Sequence, residues 1–225
     1  MSESRGRHEL KHYINYADVI QLRSRLPFVA ALDENAADAN GYRVRSLYFD
    51  NYNDKALREK IDGVNEREKF RLRIYNDDTS FIRLEKKSKI NGICFKESAF
   101  ITADECARLL DGDLAVLKEN GGSLCQELYA KMHYQQLRLK NIVDYQREAY
   151  IYPMGNVRVT LDHDIRTGGN VCDFLRPEPL PVPIPGIYIL EVKYDSFLPE
   201  VIRGVVSLSS RRSTAFSKYA ATRIV

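Results

Sequence analysis

The chain lacks any stretch near the roughly 18 consecutive apolar residues that a membrane-spanning helix needs. Its first residues, Met1-Ser-Glu-Ser-Arg-Gly-Arg-His8, are polar and have no apolar core of a secretory leader. Cysteine is scarce: Cys94, Cys106, Cys125 and Cys172 are far apart and form no C-x-x-C pair. That spacing argues against a disulfide framework or a zinc site and fits reduced thiols in a cytoplasmic protein. Gly121-Gly122 and Gly168-Gly169 belong to neither a Walker loop nor a dinucleotide fingerprint. His8, His12, His133 and His163 show no H-E-x-x-H spacing, and no Ser-His-Asp or Cys-His arrangement is legible. Excess charge of one sign is missing as well, since 34 Lys and Arg face 31 Asp and Glu. A basic coat for nucleic acid is not indicated, and any anion site must come from local placement of charge.

What remains is ample for a folded core: 225 residues, 44% hydrophobic, with 14 Tyr and 9 Phe. Alternating segments rich in β-branched and aromatic residues predict strands over Arg7–Ile14, Tyr42–Phe49, Phe70–Tyr75, Ser80–Lys87, Gly92–Phe100, Asp144–Tyr152, Asn156–Asp162 and Ile187–Tyr194. Turn residues Asn76-Asp77-Asp78, Asn91-Gly92 and Met154-Gly155-Asn156 separate several of them and favour antiparallel hairpins. Thr102-Ala-Asp-Glu105 and Ser123-Leu-Cys-Gln126 read as capping boxes ahead of helices. Tyr16–Leu26, Glu200–Leu208 and a turn near Phe216–Thr222 are further helical segments, and prolines stiffen 177–185 into a connector. With no repeat and no break in composition, one antiparallel β domain with peripheral helices is expected over residues 1–225.

The strands carry their charges in rows. Side chains two apart share a face, so Arg43 pairs with Arg45, Arg71 with Arg73, Arg158 with Asp162, Glu9 with Lys11, and Glu191 with Lys193. An ordinary solvated face explains any one row. Repeated like-charge arginine pairs are unfavourable on such a face, however, and Arg is the better bidentate partner for phosphate oxygens. Glu191 and Lys193 also end a nearly continuous apolar run, Ile187–Val192, where an isolated charge is costly. Closed into a barrel, such rows would line a wet interior that an anion, with a divalent cation, could neutralise.

The ordered series Arg7-His-Glu-Leu-Lys11, Tyr42-Arg-Val-Arg-Ser-Leu-Tyr-Phe-Asp50, Phe70-Arg-Leu-Arg-Ile-Tyr75, Leu84-Glu-Lys-Lys87, Val157-Arg-Val-Thr-Leu-Asp162, Leu190-Glu-Val-Lys193 and Phe216-Ser-Lys-Tyr219 resembles the polyphosphate polymerase domain of the vacuolar transporter chaperone (VTC) family. That family belongs to the triphosphate tunnel metalloenzymes, with the CYTH cyclases and triphosphatases. The resemblance implies an α+β fold with an eight-stranded antiparallel tunnel that binds a triphosphate. It implies phosphate-binding roles for Arg43, Arg45, Arg71, Arg73, Arg147 and Arg158, and tunnel positions for Lys11, Lys87, Lys96 and Lys193. Glu191 corresponds to the family's metal-binding glutamate, with Glu9 and Asp162 as further candidates, and Lys218 to a lysine of the C-terminal helix. The implied reaction moves the γ-phosphate of ATP onto polyphosphate with Mn2+ or Mg2+ bound, and a membrane protein is the expected partner for export. Arg7 stands where many CYTH hydrolases carry a first glutamate, which favours polymerase over hydrolase. A tripolyphosphatase and a non-catalytic polyphosphate-binding module are the alternatives.

Overall fold

The computed structural model describes residues 6–36, 41–208 and 217–223. In chain order its elements are β1 (His8–Ile14), α1 (Tyr16–Arg25), β2 (Ala31–Leu32), β3 (Tyr42–Asp50), α2 (Lys55–Ile61), β4 (Arg67–Tyr75), β5 (Ile82–Ile90), β6 (Ile93–Ile101), α3 (Ala103–Leu110), α4 (Ala115–Glu119) and α5 (Ser123–Tyr134). There follow β7 (Arg138–Tyr152), β8 (Val157–Gly168), β9 (Val182–Pro183), β10 (Tyr188–Tyr194), α6 (Glu200–Val206) and α7 (Lys218–Ala221). Each predicted strand is present, and β7 and β8 run longer than the alternation suggested.

Eight strands pair in the order β1-β10-β8-β7-β3-β4-β5-β6, every pair antiparallel. The sheet curls until its edges meet at one bridge, where Arg7 N donates to Cys94 O at 3.0 Å and Cys94 N to Arg7 O at 3.2 Å. The expected antiparallel tunnel is therefore the fold.

Outward side chains make two apolar layers. Leu47, Phe49, Phe70, Leu72, Ile74, Ile82 and Leu84 pack under α3, α4 and α5 through Cys106, Leu109, Val116, Leu117, Leu124 and Leu128. On the other flank Val157, Val159, Leu161, Leu190 and Val192 pack against Val19 and Leu22 of α1 and Ile202 and Val206 of α6. The capping box at Thr102 forms, with Glu105 N donating to Thr102 Oγ1 at 3.2 Å and Thr102 N to Glu105 Oε2 at 2.7 Å. The one expected at Ser123 does not: Gly122 is the N-cap, and the Gln126 amide donates to Gly121 O instead. An unforeseen box caps α1, where Asn15 and Asp18 exchange backbone-to-side-chain bonds of 2.9 Å. The proline-rich connector is stiff for a further reason than its rings, since Val182 and Pro183 pair with β8 as β9. Phe216 lies outside the described residues.

Candidate active site

Register decides which charges share the lumen. Glu9 stands across from Lys193, which stands across from Arg158; Lys11 stands across from Glu191 and then Thr160. On the opposite wall Tyr48 aligns with Arg71 and Glu85, and Lys69 with Lys87 and Lys96. Tyr42 aligns with Arg147 and Asp162. These rows meet inside the curl, although Val44, Val143, Ala149 and Ile189 make part of the inner wall apolar.

Arg43 and Arg45 are a correction. They occupy the outer face of β3 with Leu47 and Phe49, and Arg45 is paired in register with Asp144 and Ile74. The Arg43 Nε donates to both Asp144 oxygens at 3.0 and 2.9 Å, and Arg45 Nη2 to Asp144 Oδ2 at 3.0 Å. Arg43 Nη1 also donates to Asp77 at 2.8 Å, and further donors of the two arginines reach connector carbonyls, Arg43 to Pro177 O at 2.8 Å and Arg45 to Glu178 O at 2.7 Å. Both arginines strap the connector to the sheet, and neither reaches the lumen.

Inside, cations gather around carboxylates in three groups. The Lys87 Nζ lies 2.7 Å from Glu9, Lys11 lies 3.3 Å from Glu9 and 3.1 Å from Glu191, and Lys193 lies 2.6 Å from Glu191. Burial alone would raise both carboxyls, but Lys11, Lys87 and Lys193 hold Glu9 down to about 2 and Glu191 well below the usual range. The Glu85 carboxylate takes Arg71 at 2.7 Å, Arg73 at 3.5 Å and Lys96 at 2.5 Å. It too is held low against its burial. Asp162 is clasped by Arg147 through Nε at 2.6 Å and Nη2 at 2.8 Å, and by Lys218. Burial opposes the effect, yet these partners bring it to about 2. Arg158 sits nearer the edge, bonded to Asp33 and the Tyr42 hydroxyl.

Four lumen residues carried no role in the sequence reading. Glu85 shares a face with Arg83 and Lys87 and is the pivot of the Arg71–Arg73–Lys96 group. Tyr145, two residues before Arg147, accepts from Arg73 Nη2 at 3.2 Å and lies under Lys218 Nζ, 4.4 Å from its ring centre. Tyr48 packs on Tyr219 and also accepts from Arg71 Nη1 at 3.2 Å. Burial raises its phenol, but Arg71, Lys69 and Arg73 overcome that and bring it to about 7. Lys69, two residues before Arg71, has no carboxylate partner among the described residues. Burial, with Arg71, Lys87 and Lys11 nearby, lowers its ammonium to about 7.

The cavities adjoin. One of about 330 Å3 is walled by Arg71, Arg73, Lys87, Lys96, Arg147, Arg158 and Lys193. It shares Glu9, Lys87 and Cys94 with a smaller space at one end, bounded by Lys60, Arg67, Lys69 and Lys89. It shares Tyr42, Tyr75 and Arg158 with a space at the other end. Cations outnumber carboxylates throughout, and packed like charges of this kind call for a polyanion.

A divalent ion of the magnesium type takes hard oxygens and commonly only one or two carboxylates, with phosphate oxygens and water completing its shell. Glu9 and Glu191 come nearest to that demand: one ammonium, Lys11, lies within 3.3 Å of both, and their other close partners, Lys87 on Glu9 and Lys193 on Glu191, are ammoniums on flexible stems that a metal would displace. Asp162 does not fit, because it is fully buried and clasped by both arms of the Arg147 guanidinium as well as by Lys218. Among the described residues no group of three His, Cys, Asp or Glu side chains is arranged for a metal.

An eight-stranded antiparallel tunnel with this lining defines a protein of the triphosphate-tunnel class. More narrowly, the chain belongs to the VTC domain family, whose model matches residues 6–224. No curated protein matches it. Among solved structures it resembles a Bacillus halodurans protein provisionally assigned as an adenylate cyclase, at 13% identity and a TM-score of 0.51 over 86% of this chain and 82% of that one. The PH1819 protein of Pyrococcus horikoshii aligns at 15% identity and 0.45 over 89% and 84%. At 13% identity the likeness to the Bacillus halodurans protein concerns the fold alone. No helix among the described residues is long and apolar enough to cross a membrane.

Proposed function

We propose that the protein is a metal-dependent polyphosphate polymerase that moves the γ-phosphoryl group of ATP onto the end of a polyphosphate chain. The observation that carries this reading is the string of cation-walled cavities with a mouth at each end. A hydrolase needs room for one triphosphate and a water, whereas a polymerase needs space for a donor on one side of the reacting phosphorus and a chain on the other.

Phosphoryl transfer asks the protein chiefly for position and charge neutralisation. A terminal oxygen of the chain attacks the γ-phosphorus, the bond to the β-bridging oxygen breaks, and the nucleoside diphosphate leaves with that oxygen. The attacking oxygen is already ionised, so no dedicated base is required. Arg71, Arg73, Arg147 and Arg158 present planar forks to the non-bridging oxygens. Lys11, Lys87, Lys96, Lys193 and Lys218 add point charges, each released from the carboxylate that holds it in the free protein. Glu9 and Glu191 would hold a Mn2+ or Mg2+ ion, which when bound offsets charge on the bridging oxygens.

One observation favours a second reading. Lys69 and Tyr48 both ionise near 7, and either in its deprotonated form can accept a proton from an attacking water, as a tripolyphosphatase requires. The test separates the two. With ATP and Mn2+, the purified protein is expected to make a long anionic polymer that exopolyphosphatase degrades. Release of orthophosphate alone from ATP or tripolyphosphate overturns the polymerase reading.

A further inference from the structure

On β5 the apolar Ile82 and Leu84 enter the core under the helices, so Glu85 faces the lumen, where it is 1% exposed. It stands directly opposite Arg71 on β4 and Ser98 on β6, which puts Arg73 and Lys96 on its diagonals. Its two oxygens take different partners. Oε2 meets Arg71 Nε at 2.8 Å, Arg71 Nη2 at 2.7 Å and Arg73 Nη1 at 3.5 Å, while Oε1 meets Lys96 Nζ at 2.5 Å. The other arginine nitrogens are held from β3 and β7. Arg71 Nη1 donates to the Tyr48 hydroxyl at 3.2 Å, Arg73 Nε to Ser46 Oγ at 3.1 Å and Arg73 Nη2 to the Tyr145 hydroxyl at 3.2 Å. A guanidinium carries more N–H donors than these bonds use, which leaves each fork donors for a ligand in the cavity that both residues wall. The side chains of Arg71 and Arg73 are 15% and 6% exposed and that of Lys96 is 48% exposed. The lysine can therefore swing away where the arginines cannot. Stability does not account for such a group, because apolar residues of similar volume are often as stable as a buried ion pair. Aim does account for it: an arginine fork must match phosphate oxygens in direction, and a misplacement of roughly 1 Å can cost on the order of a hundredfold in rate.

We propose that Glu85 is a positioning residue, whose Oε2 fixes the forks of Arg71 and Arg73 at the reacting phosphoryl group while Lys96 leaves Oε1 for the ligand. The inference rests on the phosphoryl-transfer reading and adds to it a carboxylate that touches neither phosphate nor metal.

Glu85→Gln keeps the length and removes the charge, and Glu85→Asp keeps the charge and shortens the reach. Glu85→Asp leaves the group's charge balanced and serves where Glu85→Gln does not fold. Turnover with Mn2+ is counted as ATP consumed, whatever the product. In both variants kcat should fall at least tenfold. Calorimetry should find tripolyphosphate bound to Glu85→Gln at least as tightly as to the wild type, because an anion has left a cationic lumen. Wild-type kcat in Glu85→Asp would show that the charge alone is needed, and in Glu85→Gln that the arginines keep their places without it; either result overturns the inference. Tenfold weaker tripolyphosphate binding, as a collapsed lumen would give, overturns it too. The kcat loss in an Arg71→Ala/Glu85→Gln double variant should be smaller than the product of the two single effects, and full additivity would mean that Glu85 does not act through Arg71. A wild type that releases orthophosphate alone loses the polymerase, while these kcat ratios still decide the role of Glu85. The Nε–H signals of Arg71 and Arg73 in 15N spectra need no turnover. They should be sharp in the wild type and broadened in both Glu85 variants, and unchanged signals overturn the inference whatever the reaction proves to be.

Discussion

Arg-x-Arg occurs twice on neighbouring strands with opposite consequences. Arg71 and Arg73 share their face with Lys69 and Tyr75, and the alternate residues Phe70, Leu72 and Ile74 enter the core under the helices. Arg43 and Arg45 share theirs with Leu47 and Phe49, which enter that same core. Alternation shows that two arginines are together but not which way they look. The apolar companions two residues on are the signal that tells them apart, and that signal was available in the sequence. Truncation should separate the pairs. Arg71→Ala or Arg73→Ala is expected to lower kcat/KM at least tenfold, about 1.4 kcal/mol of transition-state stabilisation. Arg45→Met should instead lower the melting temperature, breaking a buried ion pair at a cost of about 3–5 kcal/mol, with KM of the folded fraction unchanged. The same KM loss in Arg45→Met would place it back in the lumen.

Lys69 supports a prediction about protons. Its ammonium is lowered to about 7 because it is buried among Arg71, Lys87 and Lys11. A phosphate chain drawn into the lumen favours the charged form, raises that value and makes binding take up a proton near neutral pH. Affinity should therefore fall as pH rises through the free protein's value. The ligand also titrates in this range, so the quantity to measure is the difference between wild type and Lys69→Met. Calorimetry at pH 7.5 in two buffers of unlike ionisation enthalpy should show fewer protons taken up by the variant. Equal uptake would mean that Lys69 does not face the chain.

Among the elements, those whose ends are capped by their own sequence were the easiest to read. The Thr102 box announced α3 correctly. Helix α2 went unread because its first residue is preceded by Asp54 in a left-handed conformation with no capping bond. Its N-terminus is capped from a distance, the Asp50 carboxylate accepting from Ala56 N at 2.9 Å and Leu57 N at 3.1 Å. The early part of β7 was hidden similarly, since Arg138 and Lys140 interrupt the apolar rhythm and a bulge at Tyr48/Phe49 shifts its register. Asp50 also accepts the Tyr219 hydroxyl at 2.8 Å, which ties α7, and with it Lys218, to the sheet. Tyr219→Phe removes that bond, a loss of about 1–3 kcal/mol for a buried pair. If α7 serves the lumen by holding Lys218 in place, activity should fall in Tyr219→Phe and in Lys218→Ala, and the double variant should be no worse than Lys218→Ala alone. Additive losses would show that Tyr219 acts on something other than Lys218.

At the scale of the whole molecule, the antiparallel strands were legible in their alternation and the tunnel in the charge rows and the ordered motifs that resemble the VTC family, while the aromatic mouth was not. Tyr42, Tyr75 and Arg158 come from three different strands and Phe81 from the turn just before β5, and they meet only through curvature, which no local pattern encodes. The same curvature concentrates like charge: Arg71, Arg73, Arg147, Lys11, Lys69, Lys87 and Lys193 crowd a space held by few carboxylates. The fold bears that repulsion as a standing cost, so anything that neutralises the lumen should stabilise the whole protein, by about 2.7 kcal/mol for a ligand at 100 times its dissociation constant. For a domain of this size that corresponds to a rise in melting temperature of roughly 5–11 °C. Inorganic tripolyphosphate should produce it without a nucleotide, and chloride at equal ionic strength should give much less, since screening acts weakly on charges shielded from bulk solvent. Lys69→Met should raise the baseline relative to a surface lysine control and shrink the response to tripolyphosphate, because it removes a buried cation that has no carboxylate partner among the described residues, and a phosphate contact with it. A melting temperature indifferent to tripolyphosphate would mean that the carboxylates already balance the lumen, and the need for a polyanion, on which the functional reading depends, would be gone.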